Sequence, residues 1–289
     1  MVSRLKKAAG RLKLYGELVM FSHTLFSLPF ALAAMLMAAG GFPGFGTAFW
    51  ILMAFTGARN GANALNRLID RHIDARNPRT AGRHLPAGTL HRREALGIAV
   101  FCFALLVVSA FMLNPLCVKL LPLAVIILIA YSYTKRFTWL CHFVLGAACA
   151  GASLGAWVAV TGKLEWQPLV LTAANALWVT GFDIIYATSD IEFDRAERLH
   201  SLPARFGKTV ALWGAAGLHG ITVLLLAAAG YLAGRGAFYF TGVGLAALLL
   251  AVEHLLVVKG RILLASYRMN QILGTVFFLF TCLDIFVKI

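Results

Sequence analysis

A chain of 289 residues that is 60% hydrophobic and 13% charged, with a mean hydropathy of +0.80, is too apolar for a water-soluble globule, where apolar residues make up about half. That composition excludes a soluble enzyme, a secreted disulfide scaffold and a disordered tail together. The net charge of +14 would suggest nucleic acid in a soluble protein, so the placement of the basic residues decides what it means here.

Apolar blocks of the roughly 20 residues that a helix needs to cross a bilayer predict nine spans, near 17–39, 46–68, 94–114, 116–134, 138–161, 168–188, 209–232, 237–258 and 265–287. The first follows a basic segment but is longer than the apolar region of a signal peptide, so it reads as a retained span. With the N-terminus inside, the inner segments hold 21 of the 26 Lys and Arg residues. Only Lys119, Lys163, Arg235 and Lys288 fall outside, and Arg59 alone lies deep within a span, the others near span ends or in the segments between. This bias predicts a single integral-membrane domain over 1–289, in the cell (inner) membrane, with its N-terminus and active-site loops cytoplasmic and no nucleic-acid partner. Cys102, Cys117, Cys141, Cys149 and Cys282 show no paired spacing and read as reduced packing residues. Gly57 with Gly61, and Gly151 with Gly155, have the small-residue spacing of close helix approach.

Five of the six aspartates lie in two clusters, 60–88 and 183–207, each closing an even-numbered span on the inner side. At about 100° per helical residue, Asn63, Asn66, Asp70 and Asp74 form one continuous polar stripe. Asp183, Tyr186, Asp190 and Asp194 form another with the same spacing, each member 120 residues after its counterpart. Each stripe is followed by a basic loop with a proline, at 84–88 and 201–207. Four intervening spans give both halves the same orientation, so a parallel four-span repeat, about 46–134 and 168–258, is expected, with both stripes facing one cavity.

Carboxylates converging there would repel unless a cation sat between them. Oxygen ligands at this spacing suit Mg²⁺, which is held by carboxylates together with waters and phosphate oxygens. Arg71, Arg76, Arg79, Arg83, Arg198, Arg205, Lys135 and Arg136 lie nearby in the inner segments, and guanidinium forks beside Mg²⁺ are suited to a diphosphate. A diphosphate site above an apolar cavity implies an amphiphilic substrate with a long hydrocarbon tail.

At these residues the chain resembles the UbiA-type intramembrane prenyltransferases, which join polyprenyl chains to aromatic acceptors. Asn66, Asp70, Asp74, Arg79, Thr80, Arg83, Leu85 and Pro86 match the first motif of that family. Asp183, Tyr186, Asp190 and Asp194 match the second, and Tyr131, Lys135 and Arg136 match a segment closing the fourth span. The chain departs from many members in having Arg67, not an aspartate, after Asn66. The resemblance implies an all-α bundle of nine transmembrane helices around a central cavity, with a polar inner-side cap. It implies that Asp70, Asp74, Asp190 and Asp194, with Asn66, hold Mg²⁺ against an allylic polyprenyl diphosphate. Asp183 and Tyr186 support the chemistry, and Arg79, Arg83, Lys135 and Arg136 neutralise the leaving diphosphate.

Arg59 lies one turn deeper than Asn63 on the same face, and a buried arginine needs a partner. It is expected either to hold an acceptor carboxylate or to bridge to Asp183. His23 in the first span is a candidate contact for the aromatic acceptor. The leading expectation is polyprenyl transfer to 4-hydroxybenzoate in quinone biosynthesis. The alternatives are a menaquinone-pathway naphthoate-type acceptor and, from a different class, a cation-coupled transporter.

Overall fold

The structure, a computed structural model, describes residues 14–19 and 21–287, and the side chains of all of these outside 21–26. The basic segment that opens the chain and the His23 side chain lie outside the described residues. Everything regular among the described residues is helical. Helix α1 spans Phe21–Ala39, α2 Phe45–Arg76, α3 Arg92–Leu113, α4 Pro115–Thr134, α5 Cys141–Thr161 and α6 Trp166–Ala187. A 3₁₀ turn, Thr188–Asp190, leads to the short α7 Ile191–Ala196 and α8 Leu202–Phe206. Then come α9 Lys208–Leu232, α10 Ala237–Val258, a π-helical turn Leu264–Met269 and α11 Asn270–Phe286.

Among the described residues, seven helical segments are long and apolar enough to cross a membrane, those built on α3, α4, α5, α6, α9, α10 and α11. The chain is therefore an integral, multi-pass membrane protein. Of α1, the described apolar part, Ser27–Ala39, is too short for this measure. The 32-residue α2 misses it because its second half carries the first polar stripe. Large apolar side chains such as Phe101, Phe111, Trp213 and Leu224 stand exposed around the helices, as lipid-facing residues do and as a water-soluble surface of this extent would not.

The packing follows from side-chain size and capping. Phe30 of α1 is fully buried and stacks on Trp178 of α6 at 4.6 Å and on Phe277 of α11 at 4.9 Å. This joins the first helix to both halves of the chain. Asn114 ends α3 and starts α4, its Oδ1 accepting from the Leu116 and Cys117 amides, while Pro115 supplies a first helical position with no N–H to satisfy. All five cysteines are free thiols, as their spacing predicted.

The two glycine pairs behave differently. A Cβ on Gly57 would stand 2.5 Å from the Cys102 carbonyl oxygen, and one on Gly61 would stand 3.2 Å from the Cys102 side chain. That pair does let α2 and α3 approach closely. Gly151 and Gly155 have no such neighbour and line a cavity, which corrects the packing role expected of them.

Candidate active site

Asn63, Asn66, Asp70 and Asp74 all lie on α2, so the first stripe is continuous as its spacing required. Asp70 and Asp74 are buried, at 3% and 5% exposure, which sets the electrostatics of everything around them. The second stripe is not continuous. Asp183 and Tyr186 end α6, Asp190 sits in the 3₁₀ turn and Asp194 in α7. The tighter turn, where the Thr188 hydroxyl donates to the Ile185 carbonyl at 2.6 Å, re-aims the last two aspartates and departs from the single stripe expected.

The two motifs meet through cations. From the loop after α2, Arg79 donates from Nε to Asp190 Oδ1 at 3.0 Å and from Nη2 to Asp190 Oδ2, while Nη1 donates to the Tyr186 hydroxyl. Asn77 reaches the same Asp190 oxygen at 3.2 Å, and its own Oδ1 accepts the Arg79 amide at 2.9 Å. Burial would lower the Arg79 guanidinium, but the hydrogen bond to Asp190 and the nearby tyrosines outweigh it and hold it above the ordinary arginine value.

Asp70 is gripped by three donors: Lys135 Nζ at 2.5 Å, Arg136 Nη2 at 2.8 Å and Asn66 Nδ2 at 3.1 Å. Asp74 Oδ1 accepts from Arg83 at 2.7 Å, and Arg67 stands 4.0 Å from Oδ2. Asp194 accepts from the Ser201 hydroxyl at 2.7 Å, and that hydroxyl in turn caps α8. The aspartates are thus brought into one cap by intervening donors. Among the described residues, no three His, Cys, Asp or Glu side chains are grouped as a metal cage.

The donor set nevertheless fits a hard divalent ion. Its carboxylate and amide oxygens are what Mg²⁺ takes, and Asp74 Oδ2 is buried with no hydrogen-bond partner. With Arg67 no nearer than 4.0 Å, this buried carboxylate oxygen has no hydrogen-bond donor and is left for a closer positive partner.

Other expected residues are placed elsewhere. Asn63 donates to the Val19 carbonyl at 2.7 Å and so anchors the segment preceding α1. Arg71 turns back to the Leu68 carbonyl at 2.8 Å, and Arg76 pairs with Glu197 at 2.7 Å. Arg205 lies over the Trp139 ring at 5.9 Å. Asp183 is paired with His142 at 2.6 Å, not with Arg59. His142 Nε2 faces the Leu202 amide at 3.3 Å, so Nε2 accepts and Nδ1 carries the proton toward Asp183. Sequence reasoning passed over His142 because a lone histidine at the start of a span has no periodic partner. It also passed over Asn77, although the Asn77–Pro78 dipeptide is a turn signal of the kind that ends helices.

Arg59 lines an apolar cavity of about 230 Å³ together with Ala58, Tyr131, Cys149 and Gly151. Its Nη1 donates to Cys149 Sγ at 3.1 Å and its buried Nε has no partner. A second cavity of about 200 Å³ lies in the cap, lined by Arg67, Arg83, His84, Tyr186 and Tyr267 among others. The first cavity is suited to hydrocarbon with a single cationic group; in the second, Glu17 is paired with His84, and Arg67 and Arg83 leave a lining suited to an anion.

Residues 27–280 match the UbiA prenyltransferase family. The chain is 30% identical over 257 residues to the 4-hydroxybenzoate octaprenyltransferase of Vibrio campbellii, covering 86% of this chain and 89% of that one. It is 34% identical over 228 residues to the enzyme of that name from Shewanella sediminis, covering 76% and 77%. A UbiA homolog from Aeropyrum pernix, solved in its apo form, superposes with a TM-score of 0.85 at 32% identity, over 91% of this chain and 98% of that one. A UbiA homolog from Archaeoglobus fulgidus, bound to GPP and Mg²⁺, shares the fold at a TM-score of 0.69 and 22% identity, over 95% and 100%. The chain belongs to the UbiA prenyltransferase family and is a membrane prenyltransferase, so the transporter alternative falls away.

Proposed function

We propose that this prenyltransferase moves a polyprenyl group from an allylic polyprenyl diphosphate to 4-hydroxybenzoate, as the names of its relatives state for them, in quinone biosynthesis. The observation that carries the reading is the Arg79 fork, which joins Asp190 and Tyr186 of the second motif to the loop after the first. Cations and carboxylates interleaved in this way can hand over together. The cations turn to diphosphate oxygens and the carboxylates to a divalent ion.

Asp70, Asp74, Asp190 and Asp194, with Asn66, would hold Mg²⁺, which supplies Lewis acidity at the diphosphate. Arg79, Arg83, Lys135 and Arg136 take the charge that develops there as the allylic C–O bond breaks and its electron pair leaves with diphosphate. The allylic cation is attacked by the phenol ring ortho to its hydroxyl. A C–C bond forms and the ring proton is lost to base. Arg59 holds the acceptor carboxylate through its unpartnered Nε edge. Asp183, oriented by His142, faces the acceptor hydroxyl, and the apolar cavity excludes water that would quench the cation.

The architecture that serves this is nine spans around the cavity, with the cap and the N-terminus on the cytoplasmic side of the inner membrane. We read the chain as one domain with a duplicated four-span unit. The test is an assay in membranes with geranyl diphosphate and a panel of 4-hydroxybenzoate and dihydroxynaphthoate, read by mass spectrometry. Prenylated hydroxybenzoate that disappears with EDTA and returns with Mg²⁺ is the expected result. Product from the naphthoate alone would overturn the acceptor, and product that survives EDTA would overturn the metal.

A further inference from the structure

The last span does not begin as an ordinary α-helix. Residues Leu264–Met269 form a π-helical turn before α11. Such a turn accommodates an extra residue and rotates what precedes it relative to a continuous α-helix, by about 100° for one residue. Here it carries Tyr267, whose ring meets that of Tyr186 edge-on at 5.4 Å and which lines the cap cavity with Arg67 and Arg83.

The irregular turn is held by polar groups buried between the spans, where they are costly unless used. Asn270 is fully buried, and its Nδ2 donates to the Ala265 and Ser266 carbonyls of the π turn, both at 3.3 Å, and to Glu253 Oε1 at 2.9 Å. Its Oδ1 accepts from Trp178 Nε1 at 2.6 Å. Glu253 is also fully buried, and its Oε2 has no hydrogen-bond partner. None of these three side chains lines either cavity. Asn270 links Glu253 and Trp178 to the turn that bears Tyr267.

We propose that Tyr267 is a donor-site residue of the prenyl transfer, its hydroxyl donating to the diphosphate of the prenyl donor beside Arg67 and Arg83. Glu253, Asn270 and Trp178 are the positioning residues that keep the π turn in place. This rests on the reading of the cap as a diphosphate site.

The experiment uses the full chain in detergent with Mg²⁺, measuring the binding of geranyl diphosphate and the KM for donor and acceptor separately. Tyr267→Phe keeps the ring and removes one donor to a charged group, so donor affinity falls about tenfold while the acceptor KM stays put. Asn270→Ala shows the same donor-specific loss, and adding Tyr267→Phe to it gives no further loss, because both act through one hydroxyl. Glu253→Gln keeps an oxygen facing the Asn270 amide and retains donor affinity. Unchanged donor affinity in Tyr267→Phe would overturn the inference. So would an Asn270→Ala protein that melts lower yet binds donor like wild type. A wild-type protein that binds no prenyl diphosphate would instead overturn the diphosphate reading itself.

Discussion

Arg79 and Asp190 form a two-pronged ion pair, Nε to Oδ1 at 3.0 Å and Nη2 to Oδ2, across a separation of 111 residues in the chain. It joins the loop after α2 to the turn after α6, and so locks the two halves of the cap in register. Lysine carries the same charge but cannot reproduce the fork. Arg79→Lys is therefore expected to lower kcat/KM for the prenyl donor by about 10- to 100-fold, with the acceptor KM unchanged. Steady-state transfer of a radiolabelled prenyl group measures both, and a wild-type rate would remove Arg79 from the site.

Asp70 and Asp190 are each held by cations in the resting protein, so their removal loosens the cap without opening the membrane core. Asp70→Ala and Asp190→Ala should each cost about a thousandfold or more in turnover, on the several kcal/mol typical of metal-assisted charge stabilisation. Each variant should remain folded in the membrane, with a melting temperature lowered because Lys135 and Arg136, or Arg79, lose their carboxylate partner. Either variant retaining near-wild-type turnover would sink the metal assignment.

Arg59 has a single hydrogen bond, to a thiol, and an unpartnered Nε in a cavity lined mostly by apolar groups. Arg59→Ala should raise the acceptor KM about tenfold and leave donor binding intact. The wild-type protein should also prefer 4-hydroxybenzoate to its methyl ester, and the variant should not. Equal losses for donor and acceptor would identify Arg59 as structural.

Gly57 and Gly151 separate packing from cavity. Gly57→Ala forces a methyl group against the Cys102 backbone and should cost about 1–3 kcal/mol, read as a lower melting temperature. Gly151→Leu meets open space and fills part of the apolar cavity. Its stability should hold while turnover with long-chain donors falls more than with geranyl diphosphate. Equal melting temperatures for Gly57→Ala and wild type would show that α2 and α3 can part without cost.

The membrane class, seven of the nine expected spans and the two acidic motifs were legible in the linear chain, because each depends on local composition or on spacing along one helix. The stripe from Asn63 to Asp74 is of this kind, since a continuous α2 places those residues on one face wherever the helix packs. Its counterpart from Asp183 to Asp194 was legible as a motif but not as a shape. The 3₁₀ turn at Thr188–Asp190 arises where Asp190 is drawn to Arg79 and Asn77, more than 100 residues earlier.

Partners were beyond reach of the chain order for the same reason. Asp183 was expected to face Arg59 or the substrate, and its neighbour His142 became visible only when α5 and α6 lay side by side. The division into an apolar cavity around Arg59 and a cationic one around Arg67, Arg83 and Tyr267 depends on helix packing and on a π turn. Composition and period decide which residues are costly to bury, since that cost belongs to each group alone. Which of them meet is decided by long-range contacts, because a buried charge is stabilised only by the partner that the tertiary fold brings to it.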